Sequence, residues 1–238
     1  MTALLTIESL TAGYGKQPVL HGVSLEIPPK TVFALIGPNG HGKTTFLRCL
    51  SGLIPHRANK LVFDGHDIAA TPSHIRVARG LIHVPQGDQL FRDMSVEENL
   101  LMGAYLRPDA AAVRASLDEV YTFFPRLGER RAQLANSLSG GERRMAGIGR
   151  GLMAQGQFMM IDEPSLGLAP LIIEQIYDGL KALATSGRTI LIVEENPMRI
   201  VEIADHMALM DGGQIVWAGS PAALSTEQKI MQTYFGAA

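Results

Sequence analysis

Cysteine is almost missing from this chain of 238 residues, in which Cys49 stands alone. One cysteine excludes an internal disulfide and any metal site built from a cysteine cluster. The seven histidines are scattered without the spacing of metal ligands, so a zinc site is rejected too. We expect Cys49 to pack as a small apolar residue on the helix that the surrounding FLRCL predicts.

Neither an excess of charge nor a long apolar run is present. The 21 basic and 23 acidic residues leave a net charge of −2, so no overall field attracts nucleic acid or an anionic membrane surface. No run of about 18 apolar residues occurs. The segment TALLTIESL after Met1 lacks the basic start and apolar stretch of a secretory signal. The sequence therefore predicts a chain that is neither exported nor membrane-spanning, with 46% hydrophobic residues for a packed core.

What the sequence does contain is a phosphate loop, because GPNGHGKTT fits the pattern G-x-x-x-x-G-K-[ST]. The loop follows the apolar run Val32 to Ile36, which predicts a buried strand, and precedes the helix-like FLRCL. Its glycines permit a tight turn in which successive N–H groups face phosphate oxygens at a helix N-terminus. Lys43 would add a positive charge, and Thr44 a hydroxyl for magnesium. The predicted ATP ligands here are Gly37, Pro38, Asn39, Gly40, His41, Gly42, Lys43, Thr44 and Thr45.

The string LSGGE, from Leu138 to Glu142, is a second candidate for binding an anion. The Ser139 hydroxyl and the N–H groups of Gly140 and Gly141 can approach a phosphate at the positive end of a helix. An amphipathic helix is expected to follow, since MAGIGRGL repeats apolar residues at helical spacing. A simple helix cap is the alternative, because Ser139 and Glu142 also form a capping box. The two roles are compatible.

Two carboxylates follow the apolar run Phe158 to Ile161. The run predicts a strand whose carboxyl end delivers Asp162 and Glu163, and ligands of an open parallel sheet bind at that end. Transfer of a phosphoryl group to water requires an acidic group near magnesium and another acceptor that orients the water. Asp162 suits the first role and Glu163 the second. A core strand that ends in solvated acids is the alternative.

The remaining pattern predicts an α/β fold. Val23 to Ile27 alternates as a half-buried strand does, and Leu61 to Phe63 followed by Asp64-Gly65 predicts a hairpin at an antiparallel edge. Later apolar runs alternate with helices, which indicates parallel βαβ units. These later segments are Phe158 to Ile161, the helix IIEQIYDGLKALA, Thr189 to Val193, a helical stretch through Ile203, the hairpin ALMDGGQIVWAG and a polar helical tail.

Between these parts, from about Ser95 to Gln155, the sequence is rich in Ala and Leu and predicts helices broken by Pro108 and Pro125. We interpret this region as a lobe inserted into one domain. The predicted division is a single domain 1–238, made of a nucleotide-binding core, 1–94 and 156–238, and a helical lobe, about 95–155.

The order of the phosphate loop, VPQ ending at Gln86, LSGGE and the apolar run with DEP resembles an ATP-binding cassette (ABC) ATPase over essentially the whole chain. The resemblance implies a P-loop NTPase fold with a mixed sheet, an antiparallel β edge subdomain and an inserted α-helical lobe. It implies ATP and Mg²⁺ as cofactors, with Thr44, Gln86 and Asp162 at the metal. Lys43, Gln86 and Glu163 would take part in catalysis. Tyr14 would stack on adenine, although by itself it reads as a surface or core residue.

The segments SVEENLLMGAY, FFPRLGERR and DEPSLGLAPLIIEQI are similar to the shorter ATPase subunit of branched-chain amino acid importers. Urea and amide importers share nearly the same phrases. The resemblance implies an ATPase that powers import when two cassettes close on ATP, with Lys43 and Thr44 facing Ser139 to Glu142 of the other cassette. Implied partners are a second ABC ATPase subunit, in a homo- or heterodimer, two permease subunits and, indirectly, a solute-binding protein, but no nucleic acid. The implied location is peripheral, on the cytoplasmic face of the inner or plasma membrane.

Two rival functions remain. A lipid or lipopolysaccharide exporter has motifs that overlap heavily with these. A soluble ABC ATPase acting on DNA or ribosomes usually carries two cassettes or a coiled-coil insertion, and this sequence has neither heptads nor a second phosphate loop. For transport, we expect the surface between Gln86 and Asn99, including Leu90, Phe91 and Met94, to contact the permease or else to pack in the core.

The chain departs from the family pattern at two positions. Many cassette ATPases have a His that contacts the γ-phosphate where this chain has Glu195. Our hypothesis is that Glu195 turns away or is held neutral by burial, and that hydrolysis is slower than at a partner's site. Ala169 stands where many relatives carry an Asp that bridges the dimer, so communication through that carboxylate is expected to be absent. We expect His41 to be exposed to solvent rather than catalytic.

Overall fold

The structure is a computed structural model that describes residues 2–87, 89–227, 230 and 234. It consists of two β-sheets and a group of helices. Within the described residues the strands are β1 (Leu5–Tyr14), β2 (Gln17–Ile27), β3 (Val32–Ile36), β4 (His56–Arg57), β5 (Lys60–Phe63), β6 (His66–Asp67), β7 (Leu81–Val84), β8 (Phe158–Asp162), β9 (Thr189–Glu194), β10 (His206–Asp211) and β11 (Gln214–Gly219). The helices are α1 (Lys43–Leu50), α2 (Ser73–Ala78), α3 (Val96–Met102), α4 (Ala110–Phe123), α5 (Pro125–Glu129), α6 (Gly140–Met153), α7 (Pro170–Ala184) and α8 (Pro221–Thr226).

The central sheet has six strands in the order β11-β10-β3-β9-β8-β7. From β10 to β7 all neighbours are parallel, whereas β11 pairs antiparallel with β10. Strands β3, β8 and β9 are buried along their whole length, which explains their unbroken apolar sequences. The predicted parallel βαβ units are confirmed. Their carboxyl ends meet at one edge of the sheet, where the predicted site residues follow the strands.

The second sheet is antiparallel and has five strands, in the order β2-β1-β5-β6 with β4 beside β1. Asp64 and Gly65 connect β5 to β6, and both have positive φ angles, 49° and 75°. This conformation is the one that a two-residue hairpin requires. The mixed α/β fold with an antiparallel edge is therefore confirmed.

Helices α3 to α6 lie between the two ends predicted for the helical lobe. The N-cap of α3 is Ser95, whose hydroxyl accepts a hydrogen bond from the Glu98 N–H while the Glu98 carboxylate accepts one from the Ser95 N–H. The apolar faces of these helices pack with α7 against one side of the central sheet. The division into core and lobe at the predicted residue numbers stays a prediction.

One predicted element is wrong. The helical stretch through Ile203 is absent: after β9 the structure has only a short 3₁₀ helix, Pro197–Arg199, followed by turns. The Asn196 side chain accepts a hydrogen bond from the Met198 N–H, which starts this tight turn. Asp205 then bonds to Val32, through its N–H to the Val32 carbonyl and through Oδ2 to the Val32 N–H, so the chain must already enter β10. The predicted polar tail begins as α8 and lies partly outside the described residues.

The core has two parts, one on each face of the central sheet. The second part joins the antiparallel sheet and α1 to the central sheet, and Cys49 lies within it. Burial raises the pKa of the Cys49 thiol to about 12, so this cysteine is a packing residue, as predicted. Among the described residues, no helix combines the length and the apolar character that crossing a membrane requires.

Candidate active site

The phosphate loop joins β3 to α1 at the carboxyl edge of the central sheet. Gly37, Gly40 and Gly42 have φ angles of 149°, 80° and 104°, which favour glycine because a side chain would be strained there. A Cβ added at Gly37 would also lie 2.2 Å from the Met210 carbonyl oxygen. Gly42 is the N-cap of α1 and offers no capping side chain. The N–H groups of the first turn are thus available to an anion at the positive end of the helix.

Lys43 lies across the base of this loop and is 3% exposed. Its Nζ donates hydrogen bonds to the carbonyl oxygens of Gly37, at 2.7 Å, and Pro38, at 3.0 Å. The same Nζ lies 3.4 Å from Glu163 Oε1. The structure therefore brings together two residues predicted to be catalytic, although they are 120 positions apart in the sequence.

Asp162 and Thr44 form the part of the site that fits a metal. Thr44 Oγ1 donates to Asp162 Oδ1 at 3.3 Å. The other oxygen, Oδ2, is buried and has no hydrogen-bond partner among the described residues. Burial, and to a smaller extent the neighbouring Glu163 carboxylate, raise the pKa of Asp162 to about 6 against the lowering effect of the Thr44 hydrogen bond. An unpaired buried carboxylate oxygen beside a hydroxyl is a donor set that suits Mg²⁺.

Glu163 follows β8 directly and is buried. Its φ angle is 46°, a left-handed conformation that costs a non-glycine residue about 1–2 kcal/mol. Its Oε2 accepts a hydrogen bond from Gln86 Nε2 at 3.2 Å, and its N–H donates to the Val193 carbonyl oxygen at 3.0 Å. Strain of this kind is typical of functional sites. The carboxylate is held between Lys43 and Gln86, where it can orient a water molecule.

The segment LSGGE forms the start of α6. Ser139 is its N-cap: the hydroxyl accepts from the Glu142 N–H at 3.3 Å, and Glu142 Oε2 accepts from the Ser139 N–H at 2.9 Å. The capping box is therefore confirmed. Ser139 and Gly140 are exposed, whereas a Cβ on Gly141 would lie 2.1 Å from Ile172 Cγ2. The helix end thus presents its exposed first residues outward, as binding to another molecule requires.

Tyr14, the predicted adenine contact, lies at the end of β1 and is 46% exposed. Its hydroxyl accepts a hydrogen bond from Arg48 Nη1 of α1 at 3.1 Å. This bond holds the Tyr14 ring on the surface beside α1, the helix that follows the phosphate loop. Stacking on adenine stays a prediction.

The orientation predicted for Glu195 is wrong. Its side chain neither turns away from the phosphate loop nor is buried: it is exposed, and Oε2 accepts a hydrogen bond from Asn39 Nδ2 at 2.9 Å. The reason is that β3 and β9 are neighbours, so the residue after β9 reaches the loop after β3. A carboxylate therefore stands at the rim of the loop that is predicted to hold a polyanion.

The slower hydrolysis predicted for this site can be tested at Glu195. Replacing Glu195 with Gln or His removes the negative charge and keeps a hydrogen-bonding side chain. We expect turnover of ATP to rise severalfold in both variants, measured as phosphate release at saturating Mg-ATP. Asn39→Ala removes the hydrogen bond without removing the charge and separates the two effects. Turnover equal to wild type in both Glu195 variants would dispose of the hypothesis.

Several residues of the site were not found from the sequence. Glu194 ends β9 and is almost completely buried; its Oε1 accepts from the Tyr177 hydroxyl at 2.7 Å and from the Ser165 N–H at 3.2 Å. The network fixes the segment after Glu163 against the end of β9. The sequence signal for Glu194 was an acidic residue at the end of an otherwise apolar strand.

Ala169 precedes α7 and has no capping side chain, so its expected effect on communication between sites stays a prediction.

His41 also departs from expectation. Its side chain is only partly exposed, because Nδ1 lies 2.6 Å from Asp211 Oδ1 at the end of β10. The two residues are 170 positions apart, and no short motif connects them.

The surface predicted to contact a permease is mixed. Phe91 is exposed, with the Arg150 guanidinium 5.7 Å from its ring centre, whereas Leu90 and Met94 are partly buried. Asn99 is buried and holds the Phe91 backbone through two hydrogen bonds. Exposure suited to a partner contact thus applies to Phe91, and core packing applies to Asn99 and in part to Leu90 and Met94. Asp88, inside the predicted range, lies outside the described residues.

Comparison with known proteins gives consistent results. A family model described as ABC transporter matches residues 20–166. The chain is 37% identical, over 98% of its length and 100% of the relative, to the high-affinity branched-chain amino acid transport ATP-binding protein BraG of Pseudomonas aeruginosa. It is 32% identical to the lipopolysaccharide export system ATP-binding protein LptB of Haemophilus influenzae, over 98% of both chains. Among solved structures, the ADP conformation of MJ1267, an ATP-binding cassette of an ABC transporter, matches with a TM-score of 0.85 and 26% identity over the full length of both chains.

Proposed function

This chain belongs to the ABC transporter family as an ATPase coupled to transport, and from that premise we propose that it powers the import of branched-chain amino acids through a membrane permease. The observation that carries the proposal is the 37% identity to BraG over the whole of that protein. A second relative, the probable branched-chain amino acid transport ATP-binding protein LivF of Archaeoglobus fulgidus, is 33% identical over 98% of the chain and supports the same solute class.

We propose the following roles for the site residues. The N–H groups of the phosphate loop and Lys43 bind the triphosphate, and Tyr14 contacts the base. Thr44, Gln86 and Asp162 would hold Mg²⁺, which when bound neutralises phosphate charge and polarises the phosphoryl oxygens. Glu163 orients the attacking water and accepts its proton as the bond to the terminal phosphorus forms, so that ADP leaves. The hydrogen bond from Gln86 and the charge of Lys43 keep Glu163 in position.

We further propose that the active form contains two cassettes. The exposed N-terminal end of α6, Ser139 to Glu142, is suited to cover the triphosphate bound by a second ATPase subunit. ATP that binds preferentially between two closed cassettes would shift the population toward the closed form, and hydrolysis would reopen it. In this proposal the chain is peripheral on the cytoplasmic face of the membrane, with two permease subunits and a solute-binding protein that delivers the solute.

For the permease contact we propose the apolar surface around Tyr105 and Leu106, with the exposed Phe91 as a second contact. Tyr105 is 81% exposed and Leu106 is 63% exposed, and large apolar side chains grouped on a surface are typical of interaction sites. Tyr105 and Leu106 line a cavity of about 490 Å³ between α2 and α3, and its other walls include the apolar Val77 and Met102 and the polar Arg79 and Gln155. A cavity of this size suits one or two apolar side chains from a partner helix.

Leu106→Asp tests this contact. We expect the variant to recover at least tenfold less permease when the assembled complex is purified through a tag on this chain, because a partner that covers position 106 would bury the aspartate charge without a partner charge. ATP hydrolysis by the isolated chain should be unchanged. Val216→Asp, at an exposed apolar position on β11, serves as the control. Equal recovery of the permease with both variants would contradict the proposed surface.

The solute is tested in the reconstituted complex in lipid vesicles, with the binding protein present. We expect leucine, isoleucine or valine to stimulate ATP hydrolysis severalfold, and urea and short amides to have no effect. The 32% identity to LptB supports a second candidate, a lipopolysaccharide exporter. Stimulation by lipopolysaccharide alone would favour that candidate, and stimulation by urea would favour an amide importer. Tight binding of the chain to nucleic acid with a steep dependence on salt would instead favour a soluble ABC ATPase.

A further inference from the structure

The phosphate loop packs against the turn between β10 and β11. The Gly213 N–H donates a hydrogen bond to the His41 carbonyl oxygen at 3.1 Å. At the other end of the loop, Gly37 lies so close to Met210 that an added Cβ would approach the Met210 carbonyl oxygen to 2.2 Å. Gly213 itself lies against Val19 of β2, where a Cβ would be 1.8 Å from the carbonyl oxygen. The turn between β10 and β11 is therefore held by β2 on one side and packs against the phosphate loop on the other.

Side chains extend this contact toward the end of the chain. His41 Nδ1 lies 2.6 Å from Asp211 Oδ1, and the Tyr234 hydroxyl donates to Asp211 Oδ2 at 2.9 Å. An ionised carboxylate can only accept hydrogen bonds, so the 2.6 Å contact requires a proton on His41 Nδ1, and both carboxylate oxygens are engaged. The Gly212 N–H also lies 3.2 Å from His41 Nδ1, but a protonated Nδ1 has no lone pair to accept it, so the contact with Asp211 is the one that holds the ring. The hydrogen bonds from Tyr234 and from His41 hold the pKa of the Asp211 carboxyl below its usual range.

A histidine at this point is not required by the phosphate-loop pattern, in which residue 41 is one of the variable positions. Its contact with Asp211 therefore does not follow from the phosphate-loop pattern. Because the loop must hold several N–H groups in one arrangement to bind phosphates, any group that fixes its conformation in advance lowers the entropy lost on binding.

We propose that Asp211 and Tyr234 are positioning residues for the phosphate loop, acting through His41, so that these two side chains raise the affinity for ATP. Tyr234 fixes the Asp211 carboxylate, Asp211 fixes the His41 ring, and His41 holds the middle of the loop. The proposal goes beyond the transport function and is independent of which solute is carried.

The test uses the full chain with Asp211→Asn, Tyr234→Phe and the double variant. Calorimetric titration with Mg-ATP should give a dissociation constant about 3- to 10-fold larger for each single variant, the effect of one hydrogen bond. The KM for ATP should rise by the same factor while kcat changes less than twofold. Asp178→Asn, an exposed aspartate on α7, is the matched control. A general loss of folding would instead lower kcat and the thermal unfolding temperature without changing the affinity of the folded fraction.

The double variant decides whether the three residues act as a series. If Tyr234 acts only through Asp211, the double variant will bind ATP as weakly as Asp211→Asn and no more weakly. Fully additive losses would show that Tyr234 acts by another route and would overturn the series. Affinities equal to those of wild type and Asp178→Asn in both single variants would overturn the proposal as a whole.

Discussion

Glu163→Gln is expected to lower the turnover of ATP by about 100- to 10,000-fold, the range that a general base contributes. Glutamine has nearly the same shape as glutamate, and it can still accept one hydrogen bond and donate another, but it cannot take a proton from water at neutral pH. Burial of Glu163 between Lys43 and Gln86 leaves little room for a different side chain or for bulk water to replace it. The loss should therefore appear in kcat.

Binding of ATP should survive the same substitution. Lys43 keeps its hydrogen bonds to the carbonyl oxygens of Gly37 and Pro38 when the carboxylate at 3.4 Å is lost. Removing a negative charge from the site also favours a bound polyanion. We expect a dissociation constant for Mg-ATP equal to or below that of wild type, measured by calorimetry. A variant that binds ATP and does not hydrolyse it should also accumulate the closed pair of cassettes, which gel filtration with ATP would detect.

A matched control is Glu174→Gln, the same change at an exposed position on α7. It should retain wild-type turnover. If Glu163→Gln kept more than a tenth of wild-type turnover, Glu163 would not be the base. Loss of ATP binding together with turnover would point instead to a structural role for the ion pair with Lys43.

The parts of the site that depend on local backbone could be predicted from the sequence. The pattern G-x-x-x-x-G-K-[ST] from Gly37 to Thr44, placed between a predicted strand and a predicted helix, identifies the phosphate loop without knowledge of any distant contact. The same holds for Asp162 and Glu163 at the end of an apolar strand. Contacts between distant segments could not be predicted, because they depend on which strands become neighbours. Glu195 illustrates the point. The sequence shows that it follows the strand β9, but its hydrogen bond to Asn39 forms only because β9 lies beside β3 in the sheet.

The fold shows the same division. Long apolar runs and the Asp64-Gly65 turn gave reliable predictions, since burial on both faces and a positive φ leave clear patterns. The segment after β9 was predicted wrongly as a helix. The side-chain hydrogen bond of Asn196 and the pairing of Asp205 with Val32 outweigh the helix-forming residues in between. A buried arginine in α2 was also missed, although it has one of the largest expected effects on stability in the molecule.

Arg76→Met is expected to destabilise the protein by about 3–5 kcal/mol, because several buried carbonyl groups lose a charged donor at about 1–3 kcal/mol each. Arg76 is 1% exposed. Its guanidinium donates to the carbonyl oxygens of Cys49, Leu50 and Thr71 at 2.8 Å each and of Ala69 at 3.2 Å. Burial lowers the pKa of Arg76 from its usual value, which reflects the desolvation that these hydrogen bonds offset. Methionine fills similar space but leaves all four carbonyl groups without this donor.

The location of those carbonyls gives the substitution a functional consequence. Cys49 and Leu50 are the last residues of α1, the helix that begins at Lys43 in the phosphate loop. Arg76 therefore fixes one end of the helix whose other end would bind phosphate. Arg79→Met, one residue beyond α2 and exposed, is the control and should change stability by less than about 0.5 kcal/mol. Urea denaturation at constant pH measures both; a loss below about 1 kcal/mol for Arg76→Met would mean that water or a rearranged α2 satisfies the carbonyls.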